Sequence, residues 1–114
     1  REMRMGSPQY GDLVLDGETF RTEPSVESES LLWSDDERLL AGQELISWQD
    51  GPQTRVIVID AKRRELVAAS EAHYGLCNPV RFEADGLTYR HWHHNDGERE
   101  LLLNLPPREL LDAL

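Results

Sequence analysis

Cysteine is almost missing from this chain: Cys77 is the single thiol among 114 residues. One thiol cannot close an internal disulfide, so the fold is expected to rest on a packed core in a reducing compartment. Long apolar runs are missing too. Nothing approaches the ~18 consecutive apolar residues of a membrane span, and no signal-like apolar core stands near the start. The expected location is cytoplasmic. Lysine occurs once, at Lys62, against eleven arginines, a bias expected of a GC-rich bacterial genome. Positive charge as a whole is scarce: 12 basic against 22 acidic residues leave a formal charge of −10. Nucleic acid and anionic membrane surfaces both demand a basic face, so neither is an expected partner.

The common chemical signatures are absent as well. There is no GxxxxGK[ST] or GxGxxG phosphate loop, no GxSxG elbow and no HExxH pair. No cofactor and no catalytic residue are expected.

Negative charge is abundant and unevenly placed. Between Asp12 and Glu37 stand nine carboxylates against one base, Arg21, so this segment carries −8 of the total −10. Such a field steers a basic partner during encounter. On most proteins an acidic run of this kind is also a solubilising surface.

Asp-Gly occurs four times, at Asp16-Gly17, Asp50-Gly51, Asp85-Gly86 and Asp96-Gly97. Both residues tolerate the positive φ that tight hairpins need. Apolar and β-branched strands flank these turns: 13–15 before the first, 55–60 after the second, 80–83 before the third and 99–105 after the fourth. The composition and spacing predict an antiparallel meander. "LLWSDDERLLA" also resembles "VRFEADGLTYR", an apolar strand ending in Trp33 or Phe82, an acidic turn and a second strand.

The stretch from Trp33 to Asp60 is similar to a TolB-type or WD-like β-propeller blade. Trp33, Ser34, Asp36, Arg38, Leu39, Leu40, Ala41 and Asp60 match that pattern, while Asp35 and Glu37 replace its usual Pro and Gly. The resemblance covers residues 31–65 and, more faintly, 80–105. It implies strand-turn-strand units and no catalytic group. A closed propeller needs at least four blades, more than 114 residues supply. The expected fold is therefore mainly β: one domain over 1–114, an antiparallel meander of blade-like hairpins forming a twisted sheet or a small sandwich. Residues 1–10 are expected to be a flexible segment, and "PPRELLDAL" predicts a short C-terminal helix over 106–114 with Leu110, Leu111 and Leu114 on one side. Exposed sheet edges would suit a homodimer.

The most conspicuous chemistry is "RHWHHNDG" at 90–97. Strand alternation places His91 and His93 on one face with Leu87 and Tyr89, and Thr88, Arg90, Trp92 and His94 on the other. Two such histidines are a spacing zinc accepts, but His73, Cys77, Glu83 and Asp96 stand at no recognisable ligand spacing to them. No metal site is expected. Cys77 with His73 would make a nucleophile and base only if the fold joined them, and a lone cysteine before a strand more often behaves as a small hydrophobe. Asp35, Asp36 and Glu37 lack the ligand spacing of a calcium loop. Trp33 is expected in the core. Trp48, beside Asp50 at a turn, is either a lid on the core or a contact anchor.

The sequence thus points to an acidic protein-binding domain and not to an enzyme. The residues expected to meet a basic protein partner are Glu23, Glu27, Glu29, Asp35, Asp36, Glu37, Trp48 and Asp50. By class-level analogy, small acidic single domains of this kind resemble immunity proteins that block the active site of a cognate bacterial toxin. A structural β-subunit and a metal- or Cys-dependent enzyme are the alternatives.

Overall fold

Short alternating and β-branched runs place most of the chain in strands. The computed structural model describes residues 10–11, 13–15, 18–20 and 25–113. In chain order these form β1 (Tyr10–Gly11), β2 (Leu13–Leu15), β3 (Glu18–Phe20), β4 (Ser25–Trp33), β5 (Leu39–Ser47) and β6 (Gln53–Asp60). They continue with β7 (Glu65–Ala69), β8 (His73–Tyr74), β9 (Leu76–Phe82), β10 (Gly86–His93), β11 (Gly97–Asn104) and a helix, α1 (Arg108–Ala113). The expected flexible segment lies outside the described residues except for Tyr10, which pairs with Glu27.

All strand pairs are antiparallel. The larger sheet runs β1-β4-β5-β6-β7, with β8 also pairing on β6. The smaller sheet runs β11-β10-β9, and β2 pairs with β3 separately. Among the described residues the predicted meander is therefore two packed sheets and the separate β2–β3 pair, with no closed barrel, and the predicted terminal helix is present. Among the described residues no helix is long and apolar enough to cross a membrane.

The register explains the core. Leu39 faces Asp60, Ala41 faces Val58 and Gln43 faces Val56 across β5 and β6. Leu39, Ala41, Val56 and Val58 meet Cys77, Leu87, Tyr89 and Leu111 from the other sheet and α1. The alternate residues Leu40, Ile57 and Ile59 form a second buried cluster with Val26. β5 and β6 are thus covered on both sides, which accounts for the unbroken "VIVI" of β6. Burying each such side chain contributes about 1.5–3 kcal/mol.

Three Asp-Gly pairs fall at strand connections. Gly51 and Gly97 have φ of 95° and 75°, the left-handed region that glycine enters without steric cost. Asp85-Gly86 opens β10, with the Glu83 N–H donating to Gly86 O at 2.7 Å. Asp16 and Gly17 lie outside the described residues, between strands paired at Leu15 and Glu18.

The residues that carried the blade resemblance form one polar network. Ser34 Oγ donates to Asp36 Oδ1 at 2.6 Å and accepts the Leu39 N–H at 3.0 Å. Arg38 reaches Asp60 at the far end of β6 through Nε and Nη2, at 2.8 and 2.9 Å. The aromatic at the head of this pattern behaves otherwise than expected. Trp33 is 45% exposed, because it sits in the last pair of β4, opposite Leu40, where the sheet ends. The helix departs too: Leu111 is buried, Leu110 is exposed and the side chain of Leu114 lies outside the described residues. Positions 110 and 111 are a hundred-degree step apart, so a helix of only six residues buries one of them.

Candidate functional site

The eight residues expected to meet a partner do not share one surface. Glu23 lies outside the described residues. Glu27 is buried, and its Oε1 accepts the Glu29 N–H at 2.9 Å. The cause is a register shift in β4 between Glu27 and Leu32. Ser30 fills it: its Oγ donates to Glu27 O at 2.5 Å and accepts the Gln43 N–H at 2.8 Å. Glu29 remains exposed.

Asp35, Asp36 and Glu37 form the turn between β4 and β5, all exposed, with Glu37 at φ 57°. Asp36 is engaged internally. Arg108 of α1 donates to both its oxygens, at 3.1 and 3.3 Å. The Arg108 guanidinium, the Ser34 hydroxyl and the Arg38 N–H hold the Asp36 carboxyl well below the usual carboxylate range. Trp48 and Asp50 occupy the turn at the other end of β5. Nine residues of strand, at about 3.4 Å each, separate the two groups. They are opposite poles of the larger sheet.

At the Trp48 pole the turns converge. A cleft of about 530 Å³ opens there, lined by Asp50, Tyr74, Asp96, Arg99 and all four histidines. Tyr74, which lines it, is 50% exposed, and Trp48, two residues before Asp50 in the sequence, is 57% exposed. The strand alternation predicted for β10 holds towards its end, where His91 is buried while Arg90 and Trp92 face outward; Thr88, expected on their side, is buried, and His94 is exposed in the turn beyond the strand. Trp92 itself is 46% exposed, so it caps no core on that side.

His91 does not act with His93. Its ring stacks against His73, with centroids 4.7 Å apart and a tilt of 32°. His91 Nε2 lies 2.7 Å from the carbonyl oxygen of Tyr74 and must donate to it. Its Nδ1 then accepts from Arg99 Nε at 3.4 Å. His93 stacks on His94 at 4.4 Å, and its Nδ1 accepts the Asn95 N–H at 3.3 Å. Among the described residues no three His, Cys, Asp or Glu side chains converge as a metal-ligand set.

Cys77 and His73 make no nucleophile–base pair. The Cys77 thiol donates to Thr54 O at 3.8 Å, and burial pushes it above the ordinary thiol range. His73 Nε2 is bonded to the Tyr89 hydroxyl at 3.1 Å. Burial, and then the neighbouring His91 ring and the Arg99 guanidinium, hold His73 below the usual imidazole range.

Sequence reasoning missed Tyr74 and Arg99 as members of this cleft. The signal lay in Gly75. Its φ is 102°, and a Cβ there would come within 2.1 Å of Trp92 O. Only glycine lets the chain pass between the sheets at that point, and the passage carries His73 and Tyr74 to the histidines of β10. No protein-family model, no curated protein and no solved structure matches the chain.

Proposed function

We propose that this chain is an acidic, non-catalytic protein-binding domain that occludes a basic surface of its partner, in the manner of an immunity protein against a bacterial toxin. The observation that carries the reading is the Trp48 pole. Two aromatics stand half or more exposed at one end of the larger sheet: Trp48, two residues before Asp50, and Tyr74, which lines the cleft with Asp50 and Asp96. Exposed aromatics beside carboxylates are the composition of an interface anchor for a cationic partner. The formal charge of −10 supplies long-range attraction. Asp35 and Glu37, at the opposite pole, contribute to that attraction without touching what Trp48 touches.

The test is co-expression with the product of the adjacent gene. Growth arrest by that product, relieved by this chain and not by its Trp48→Ala variant, supports the reading. A harmless neighbour, or relief that is indifferent to Trp48, overturns it.

A second reading has its own observation. β7 ends the larger sheet, and a groove of about 370 Å³ lies between β7 and α1, flanked by exposed Leu66 and Leu110. An open strand edge with an apolar flank suits a structural β-subunit that pairs with a copy of itself. Light scattering on the purified chain separates the two: a stable dimer that protects the amides of β7 favours this alternative.

A further inference from the structure

β8 is only two residues long, and it is the piece of backbone that presents Tyr74. It pairs with β6 at Gln53 and Thr54. The junction is fastened by the Gly75 N–H to Pro52 O and the Thr54 hydroxyl to Gly75 O, both at 2.8 Å. From the other sheet two side chains of β10 reach it: His91, through Nε2–H to Tyr74 O, and Tyr89, whose hydroxyl is bonded to His73 Nε2. The remaining nitrogen of the His91 ring is occupied by the Arg99 N–H. A proton and the Arg99 donor cannot share that lone pair.

Acid therefore changes this junction in a defined way. Protonating His91 at Nδ1 expels Arg99 and leaves a cation against the His73 ring, 4.7 Å away. Protonating His73 places a second cation there and restricts its bond to Tyr89, whose oxygen must then accept. The groups around the pair come from every neighbouring element. β9 contributes Cys77, β10 contributes Tyr89 and His93, and β11 contributes Arg99. Glu71 precedes β8, Asp50 comes from the β5–β6 turn, and His94 and Asp96 come from the β10–β11 turn. Glu71 is the carboxylate that favours the charged form of His73, against His91 and Arg99, which disfavour it. Like charges inside a partly buried site repel far more strongly than in water.

We propose that the His73–His91 pair, with Arg99, is an acid-sensitive latch that holds β8 and Tyr74 in the binding surface near neutral pH and releases them in acid. The latch rests on the reading of the Trp48 pole as the partner-binding end, and it would make partner capture weaken as pH falls.

The experiment uses the isolated chain, with histidine ring nitrogens and backbone amide exchange followed by NMR from about pH 7.5 to about pH 5. The expected result is a neutral Nε2–H tautomer of His91 at the upper end. On acidification the Gly75 amide should exchange about tenfold faster, after correction for intrinsic rate, while the amides of β6 beyond Val56 stay protected. His91→Gln keeps a donor for Tyr74 O but gains no proton, so its Gly75 protection should not respond to acid. Should that variant fail to fold, Arg99→Met serves: without the competing guanidinium, opening should begin at higher pH. An Nδ1–H tautomer of His91, or Gly75 protection unchanged across this pH range, overturns the latch. Partner affinity is measured separately. Acid-weakened binding with intact Gly75 protection would sink the latch and keep the binding reading. Opening in a chain that binds no basic partner would keep the latch and sink the binding reading.

Discussion

Arg38 and Asp60 are joined by two parallel hydrogen bonds, Nε to Oδ1 at 2.8 Å and Nη2 to Oδ2 at 2.9 Å. The Asp60 side chain is wholly shielded from solvent, and it also accepts the Lys62 and Arg63 N–H groups at 3.0 and 3.3 Å. Arg38 extends further, with Nη1 bonded to Asp112 of α1 at 2.6 Å. One guanidinium thus ties the β4–β5 turn, the end of β6 and the helix. Replacing it strands a buried carboxylate, whereas replacing Arg108 only releases Asp36, which is half exposed. Arg38→Met should lower the thermal midpoint clearly more than Arg108→Met. Equal midpoints in circular dichroism melts would refute this ordering.

Much of this scaffold was legible in the sequence because hairpins are local. Asp50-Gly51 and Asp96-Gly97 mark turns through backbone preference alone, and the period of two in β10 separates His91 from Trp92 without knowledge of the rest. The failures are non-local. The side chain of Glu27 turns inward because Ser30 absorbs a register shift against β5, which no pattern within "SVESESLLW" announces. Trp33 fits a core pattern, yet the sheet stops at its position. The cleft joins residues from 50 to 99, and only Gly75, a single small residue in a loop, hinted that the chain crosses between sheets there.

Gln43 is a buried polar bridge between those sheets. From β5 its Oε1 accepts the Cys77 N–H at 3.1 Å, and its Nε2 donates to Asn78 Oδ1 at 3.3 Å. Gln43→Leu fills similar space but leaves a buried N–H without an acceptor. The expected loss is about 1–3 kcal/mol in urea unfolding, with little change in m-value. A neutral effect would mean that β9 is positioned by apolar contacts alone.

Cys77 should be inert in the native state. It is fully buried, and burial disfavours the thiolate. Ellman's reagent should react with it only as fast as the protein opens, and fast reaction should appear with denaturant. Prompt stoichiometric reaction without denaturant would show the thiol to be accessible.

Stability should decline at mildly acidic pH through His73. Its folded-state pKa is depressed below the ordinary 6.5, so the unfolded chain takes up the proton first. The associated stability is therefore complete above pH 6.5 and is lost as pH falls through the lower folded value. Asp36 and Asp60 act further down: both are depressed below 3.8, so their stabilisation persists until pH falls beneath that value. Two separate descents are expected in urea midpoints against pH, and His73→Phe should remove the upper one. A His73→Phe profile that keeps the full upper descent would assign it elsewhere.

The two acidic poles should separate in binding kinetics. Asp35 and Glu37 are exposed at the β4–β5 turn, so charge reversal there alters the approach of a basic partner and leaves the docked contact alone. Asp35→Lys with Glu37→Lys should slow association and flatten its salt dependence, with little effect on dissociation. Trp48 stands at the other pole, and its truncation removes an anchor. Trp48→Ala should raise the dissociation rate by about tenfold or more, equivalent to about 1.4 kcal/mol, and leave the salt slope unchanged. Surface plasmon resonance over a salt series measures both. If the charge reversals change dissociation as strongly as Trp48→Ala does, the partner covers the β4–β5 turn directly, and the anchor must be moved to that end of the sheet.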